Sequence, residues 1–292
     1  MDISVIIVSY NTADLIAACL ESVFASQEVS LEVFVVDNAS KDGSAEFVRG
    51  RFPTVHLIAN DRNLGFGAAN NQALRECTGR YVIFLNPDTR VDRAAFAAMA
   101  RFMTGNPRIG LAGPKIFNPD GSRQDSVSVR YPGHRYGARE LGPLPGKIAC
   151  VMGSCQIAST SLLRELGGFD EDFFLYGEDE DLCLRIRKRG LSIGFVEDAV
   201  IMHYGGQSER DSMPEDVVRK KVHAEYLFYR KHYLPGTGNR ICTAQRRRAR
   251  WRLFIISLLL PFSLDKVAAK RKLSRYRVVL EEVRAIAMRG RE

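Results

Sequence analysis

Apolar runs that end on polar residues restrict this chain more than any other feature. Ile3–Val8 is an apolar run of the kind that forms a strand buried on both faces. Val33–Val36 is a second and ends at Asp37, Val55–Ile58 is a third, and Tyr81–Leu85 is a fourth that ends in Asn86-Pro87-Asp88. Between them, Leu15, Ala18, Cys19 and Val23 recur at helical spacing within Thr12–Ala25. Further helices are expected over 42–50, 65–77 and 92–104. Strand and helix alternating at this spacing imply right-handed crossovers, hence an α/β fold with a mostly parallel central sheet and helices on both faces. Such sheets bind ligands beyond the carboxyl ends of their strands, and Asp37 and Asp88 both stand there.

Residues 105–150 change character, with Asn118-Pro119-Asp120-Gly121, Tyr131-Pro132-Gly133 and Leu141-Gly142-Pro143-Leu144-Pro145-Gly146 reading as loops and turns. Regular structure is expected to resume near Cys150, with helices at about 179–189 and 215–232 and a short strand at 193–196. The composition, 46% hydrophobic and 26% charged over 292 residues, excludes a disordered polymer, a collagen-like repeat and a disulfide-stapled miniature. Six cysteines without a CxxC pair argue against a zinc ribbon and for reduced thiols in a cytosolic compartment. The first residues lack the basic stretch and small-residue cleavage site of a signal peptide.

The net charge of +8 is unevenly placed. From residue 240 onward there are 15 Lys/Arg and 4 Asp/Glu, which leaves 27 Lys/Arg and 30 Asp/Glu in residues 1–239. A nucleic-acid enzyme spreads positive charge around its working cleft, whereas this body is slightly acidic, so no nucleic-acid partner is expected.

Four constellations in the first half could carry chemistry. In Val8-Ser9-Tyr10-Asn11 a strand turns into a helix, and Asn11 or Thr12 suits the N-cap. In Val35–Ser44, Asp37 closes a strand and suits a base N–H or a ribose hydroxyl as well as it suits a simple turn, while Ser40 can cap the next helix. The segment Asn63-Leu64-Gly65-Phe66-Gly67 resembles a dinucleotide fingerprint, but Asn70 holds the third glycine position and the segment follows the third strand, so a nicotinamide site is rejected. Its glycines permit a close backbone approach at a helix N-terminus. Asn86-Pro87-Asp88 offers oxygen ligands to a hard divalent cation on a diphosphate.

The second half adds seven carboxylates in the twelve residues from Asp170 to Asp181. Charge alone suggests a solvated face, but Phe173, Phe174, Leu175 and Tyr176 argue for partial burial. On a helix starting near Glu178, Asp179 shares a stripe with Leu182, Cys183 and Ile186, whereas Asp181 meets Arg185 one turn on. Asp179 is therefore the better general base. His203, after a strand and before a glycine turn, is more often structural when alone and becomes a metal ligand in combination with Asp88.

Together these segments resemble the family 2 glycosyltransferases of the GT-A fold, particularly the bacterial rhamnosyltransferase-like branch. The resemblance rests on VSYN at 8–11, VVDNASKDGS at 35–44, NLGFGAANN at 63–71, FLNPD at 84–88, GGFDEDFFLYGEDEDLCLR at 167–185 and HYGGQS at 203–208. It implies an inverting transfer of a sugar from a dTDP- or UDP-linked donor, with rhamnose from dTDP-rhamnose foremost, to a glycan or polyprenyl-diphosphate-linked acceptor in cell-surface polysaccharide synthesis. By position, Ser9, Asn11 and Asp37 would hold the nucleoside, and Asn63, Gly65 and Gly67 would lie along the nucleotide. Asn86 and Asp88 occupy the metal motif, where Asp88 and His203 would bind Mg²⁺ or Mn²⁺ and Asp179 would be the base. Gly153, Glu178 and Asp181 are the acceptor-side candidates. The competing readings are a UDP-hexose transferase of the same fold, a sugar nucleotidyltransferase and a non-catalytic sugar-binding protein. The second lacks support, because residues 9–14 hold neither the glycine nor the base that grips a triphosphate.

Residues 1–235 are thus expected to form the catalytic domain and 236–292 a basic, amphipathic helical region. Arg246–Arg252 precedes the apolar run Leu253–Leu264, which Pro261 interrupts. Twelve helical residues span about 18 Å, short of the roughly 30 Å of bilayer hydrocarbon. Farther on, Tyr276, Val279, Leu280, Val283, Ile286 and Ala287 repeat at helical spacing among arginines. The pattern suits an anionic membrane surface at the cytoplasmic face, or packing onto the catalytic domain or a second subunit of a homo-oligomer.

Overall fold

A computed structural model describes residues 1–205, 213–262 and 265–289. The chain divides into two compact units. The first comprises Met1–Tyr131, Leu144–Phe174 and Glu178–Arg210, and the second Pro132–Pro143, Leu175–Gly177 and Asp211–Glu292. The helix at 214–232 thus groups with the C-terminal helices, so the contacts divide the chain earlier than residue 235. Gly206, Gln207 and Ser208 of the last motif, and Ser263 and Leu264 of the apolar run, lie outside the described residues.

In chain order the elements are β1 (Ile3–Ser9), α1 (Ala13–Phe24), β2 (Leu31–Asp37), α2 (Ser44–Arg51), β3 (His56–Ala59), α3 (Phe66–Leu74) and β4 (Tyr81–Leu85). Next come β5 (Thr89–Val91), α4 (Ala95–Gly105), β6 (Ile109–Phe117), β7 (Val127–Ser128) and α5 (His134–Gly137), the last belonging to the second unit. The first unit continues with β8 (Cys150–Val151), β9 (Cys155–Ser159), α6 (Thr160–Leu166), α7 (Glu178–Lys188) and β10 (Ser192–His203). Eight strands make one sheet in the order β3-β2-β1-β4-β9-β6-β10-β5. Only β9 and β5 run against the common direction.

Alternation along β1 explains why its sequence is apolar throughout. Ile3, Val5 and Ile7 pack into one core layer with α1 and α4, while Ile6 and Val8 pack into the other with α3 and α7. The register pairs Ser9 with Asp37 and Ile7 with Leu85, so β1, β2 and β4 end together.

Two expectations from sequence need correction. The stretch read as loops from residue 105 contains β6, a central strand obscured by Gly110, Gly113 and Pro114. A Cβ on Gly113 would lie 2.9 Å from Val151 Cβ, so the strand packs too closely there for a side chain. Pro114 falls beyond the last residue paired to β9 and beside the register shift of β10 between Val196 and Val200, where a missing N–H is tolerated. The strand placed at 193–196 likewise extends through that irregularity to His203.

In the second unit, α8 (Pro214–His232), α9 (Pro235–Leu259) and α10 (Lys266–Arg289) pack around Phe228, Tyr229, Ile241, Val278 and Val283. Glu140 of the 132–143 segment accepts the Leu234 N–H at 2.8 Å at the start of α9. No helix among the described residues is long and apolar enough to cross a membrane.

Phe84 is 1% exposed, and its ring centroid lies 4.5 Å from that of Phe169, fastening the 169–174 segment to the sheet. Phe84→Ala is expected to cost about 3–5 kcal/mol. A lowered denaturant midpoint at unchanged m-value checks it.

Candidate active site

The site is assembled where β1, β2 and β4 end. Ser9 and Asp37 are neighbours in register, and the Asn38 N–H donates to Ser9 O at 2.8 Å. Asn38, 2% exposed, organises the ground beyond β2: its Nδ2 donates to Asn63 Oδ1 at 2.8 Å, and its Oδ1 accepts from Leu64 N at 3.0 Å. Asn63 Oδ1 also accepts the Gly65 N–H at 2.9 Å. Ser9 Oγ lies 2.8 Å from Thr12 Oγ1, and Asn11, at φ 53°, accepts the Lys41 N–H at 2.8 Å. Ser9, Asn11 and Asn63 thus spend side-chain bonding capacity on shaping the loops. Asp37 is different. Its Oδ1 accepts the Ser40 N–H at 2.9 Å, but its buried Oδ2 has no hydrogen-bond partner among the described residues.

Two local expectations change. Neither Asn11 nor Thr12 caps α1 through its side chain; the Ala13 N–H is taken by Asp42 Oδ2 at 2.8 Å, and Ser40 Oγ accepts the Asn11 N–H at 2.9 Å instead of capping α2. The Gly65/Gly67 turn does permit close approach, but what approaches is protein. A Cβ on Gly65 would meet Phe174 O at 2.6 Å and one on Gly67 would meet Phe169 Cβ at 3.0 Å, and the Phe66 N–H donates to Phe174 O at 2.9 Å.

At the tip of β4, Asn86 is half-buried and its N–H donates to Ser154 O at 2.9 Å. Asp88 is 3% exposed, and its buried Oδ1 has no hydrogen-bond partner among the described residues. His203 pairs in register with Thr89, which brings its Nε2 to 3.4 Å from that Oδ1. The distance is long for a hydrogen bond. It suits two ligands of one cation, since bonds of about 2.1 Å set at about 100° hold their donor atoms about 3.2 Å apart. A buried carboxylate oxygen and an imidazole nitrogen are a donor set that Mn²⁺ or Mg²⁺ accepts. Among the described residues no third His, Cys, Asp or Glu joins them.

The acidic helix joins the same edge through Gly153. Asp179 Oδ2 accepts the Gly153 N–H at 3.2 Å and its Oδ1 the Glu180 N–H at 3.0 Å. Because Gly153 precedes Ser154, which binds Asn86, the base candidate is tied to the tip of β4. Burial, then the Asp179 charge, pushes the Glu178 carboxyl up to about 8. The Asp179 charge, then burial, pushes that of Glu180 up as well. Asp181 is buried and ion-paired with Arg185 at 2.7 Å, and Arg185 also donates to Leu166 O and Gly168 O. The i+4 pairing predicted from sequence is present, and it commits Asp181 to holding α7 on the preceding turn.

The sequence and the fold have known counterparts. Residues 4–167 match the sequence pattern of glycosyl transferase family 2. An N-acetylglucosaminyl-diphospho-decaprenol L-rhamnosyltransferase of Mycobacterium tuberculosis is 30% identical over 234 residues, covering 70% of this chain and 76% of that protein. The chain belongs to glycosyl transferase family 2. A low-salt glycan biosynthesis hexosyltransferase of Haloferax volcanii is 25% identical over 249 residues, covering 81% of this chain and 76% of that protein. In fold, the glycosyltransferase matches a mannosyltransferase of Pyrobaculum calidifontis solved with GDP-Man and Mn²⁺, at a TM-score of 0.58 and 20% identity, over 99% of this chain and 79% of that one. The family and its rhamnosyltransferase-like branch agree with the resemblance drawn from the motifs.

Sequence reasoning missed Asn38, Asp42 and Gln124 as organisers of this glycosyltransferase. Asn38 and Asp42 lie inside a recognised motif, and their side chains reach residues 25 and 29 positions away. Gln124 comes from a stretch without recognisable pattern.

Glu178 gives a pH test. Its carboxyl binds a proton more tightly folded than unfolded, so its contribution to stability is complete below about 4.5 and is lost as pH rises towards about 8. Denaturant titrations should show the stability difference between Glu178→Gln and the parent moving in the variant's favour across that window.

Proposed function

We propose that this glycosyltransferase moves a sugar, foremost L-rhamnose from a dTDP-linked donor, onto a hydroxyl of a glycan or polyprenyl-diphosphate-linked acceptor with inversion at the anomeric carbon. One observation carries the reading: a single sheet edge holds Asp37 Oδ2, unpartnered among the described residues, the Asp88–His203 pair and Asp179 on the Gly153 N–H. The name of the mycobacterial relative supports both the sugar and the lipid-linked acceptor. The name of the Haloferax hexosyltransferase favours a hexose as a second reading of the sugar, which we take as UDP-linked. Asp37 serves either, because uracil and thymine present the same N3–H.

In this mechanism Asp37 Oδ2 accepts the pyrimidine N3–H, in the loop frame set by Asn38 and Asp42. Asp88 and His203 would hold a divalent cation, which would supply Lewis-acid neutralisation of the diphosphate leaving group. Asp179, oriented by the N–H groups of Gly153 and Glu180, takes the acceptor's hydroxyl proton. The acceptor oxygen bonds to the anomeric carbon as the bond from that carbon to the diphosphate breaks, and the nucleoside diphosphate leaves. Glu178, kept protonated by burial, adds no second negative charge beside the base. Inversion follows from one displacement without an enzyme nucleophile.

We propose that the second unit attaches to an anionic membrane surface at the cytoplasmic face. On α9, Trp251 and Phe254 are 62% and 60% exposed, beside Arg246, Arg247, Arg248, Arg250 and Arg252. The α10 stripe is used differently, with Val283 buried and Tyr276, Val279, Leu280 and Ile286 half-buried.

Asp179→Asn should keep donor binding while turnover falls roughly 10²–10⁴-fold. Asp181→Asn should act chiefly through stability. A chelator should abolish activity, and Mn²⁺ or Mg²⁺ should restore it. Nucleoside diphosphate release from a panel of nucleotide sugars reads out turnover and metal dependence and identifies the donor, and the denaturant midpoint reads out Asp181→Asn. Full turnover in chelator, or by Asp179→Asn, would overturn the mechanism.

For the membrane, the double variant Trp251→Ala/Phe254→Ala should lose sedimentation with anionic vesicles while retaining donor hydrolysis. If the parent protein stays in the supernatant and instead dimerises through this face, the surface is a subunit contact.

A further inference from the structure

We propose that Gln124 is a positioning residue that holds His203 as its Nδ1–H tautomer, leaving Nε2 as a bare lone pair opposite Asp88. The inference rests on the reading of Asp88 and His203 as a cation site and concerns how the imidazole is made ready for it. A neutral histidine carries one N–H, and either ring nitrogen can hold it. Only the nitrogen without the proton can ligate a metal.

The hydrogen-bond network decides between them. Gln124 Nε2 lies 2.8 Å from the carbonyl oxygen of His203 and 2.6 Å from Asn118 Oδ1. The backbone carbonyl can only accept, so the amide NH₂ must be the end that faces it. Gln124 Oε1 is then the end that lies 3.1 Å from His203 Nδ1, and it can only accept. The ring proton is therefore on Nδ1. One glutamine side chain thus grips the same histidine twice, by its backbone and by its ring.

A second line of bonds fixes the same polarity from the other side. Asp120 Oδ1 accepts from Ser122 Oγ at 2.6 Å, and hydrogen bonding to Ser122 holds its carboxyl below the usual carboxylate range, as an acceptor. Ser122 Oγ has then given its proton away and accepts from Asn118 Nδ2 at 2.8 Å. Asn118 Oδ1 is left to accept from Gln124. Donor and acceptor alternate without conflict from Asp120 to His203.

The consequence appears at the far side of the ring. In a neutral ring whose one proton is on Nδ1, Nε2 presents its lone pair to Asp88 Oδ1, itself unpartnered among the described residues, at 3.4 Å. Two lone pairs in a buried place repel unless a cation stands between them. Outer partners of a metal-binding histidine fix its tautomer in this way, and their removal weakens metal binding about 10–100-fold.

The test begins with the metal-free full-length protein, ¹⁵N-labelled at histidine. With five histidines in the chain, the spectrum of His203→Asn assigns the resonance. At neutral pH His203 should show a protonated Nδ1 and an unprotonated Nε2. Gln124→Leu should lose that single tautomer and bind Mn²⁺ about 10–100-fold more weakly, read from the electron paramagnetic resonance of free Mn²⁺ with UDP or dTDP present. Asn118→Ala, which keeps both Gln124–His203 bonds, should shift both readouts less and in the same direction. A protonated Nε2 in the parent protein would overturn the proposal, whether as the other tautomer or as an imidazolium paired with Asp88. So would a Gln124→Leu protein with unchanged tautomer and Mn²⁺ affinity. A parent protein with the expected tautomer that binds no Mn²⁺ would overturn the cation reading and leave the tautomer assignment standing.

Discussion

The in-register parallel pairing of β1 with β2 and β4 is the constraint on which the site depends. It stops three strands at one level, so Ser9, Asp37 and Asn86 emerge together instead of being spread along the sheet. Antiparallel strands then deliver the remaining parts. Because β9 runs against β4 with Cys155 opposite Leu85, the turn before it, carrying Gly153 and Ser154, lies at the tip of β4. Because β5 pairs with the end of β10, His203 sits opposite Thr89 and therefore next to Asp88. A one-residue slip in any of these ladders would turn the wrong side chain into the edge.

That edge carries an energetic cost. Asp37, Asp88, Ser154 and Glu178 each keep a buried oxygen without a partner among the described residues, and such atoms cost roughly 1–3 kcal/mol apiece. The two-faced apolar core offsets it, with Ile3, Ile6, Ile7, Ile83, Phe84 and Leu85 all almost fully buried. Asn38, Asp42 and Asn63 satisfy backbone N–H groups of the loops around the edge. Buried oxygens without a partner among the described residues also occur at Ser26, Asn70, Ser126 and Gln156, so what marks the edge is that the carboxyl groups among them, Asp37, Asp88 and Glu178, are gathered there.

The legible parts of the fold were those governed by local pattern. Runs buried on both faces announced β1, β2 and β4, and the i+4 spacing announced Asp181 with Arg185. What stayed hidden depended on contacts between distant residues. β6 carries Gly113 and Pro114 because of a close neighbour and a sheet irregularity, neither of which sequence displays. Gly65 and Gly67 were readable as a place of close approach, but not as one filled by Phe174 and Phe169. Gln124 offered no signal at all, since its meaning comes from two bonds to a histidine 79 positions away.

Charge ties the site to its proposed donor. The partners of Asp88 and Asp179 are a histidine and backbone N–H groups, and Glu178 is pushed towards neutrality by the burial and the Asp179 charge that surround it. A sugar diphosphate brought to such an edge would meet carboxylates, and like charges in a partly dry pocket repel. A bound divalent cation reverses the sign of that encounter, and the Asp88–His203 pair is the place where the protein presents oxygen and nitrogen to one. In the proposed arrangement Asp88 would hold the cation at one end of the edge, while Asp179 stands on the Gly153 N–H at the other. The division works only if the histidine nitrogen facing Asp88 is bare, which makes the polarity of the Gln124 amide part of the electrostatics of sugar transfer.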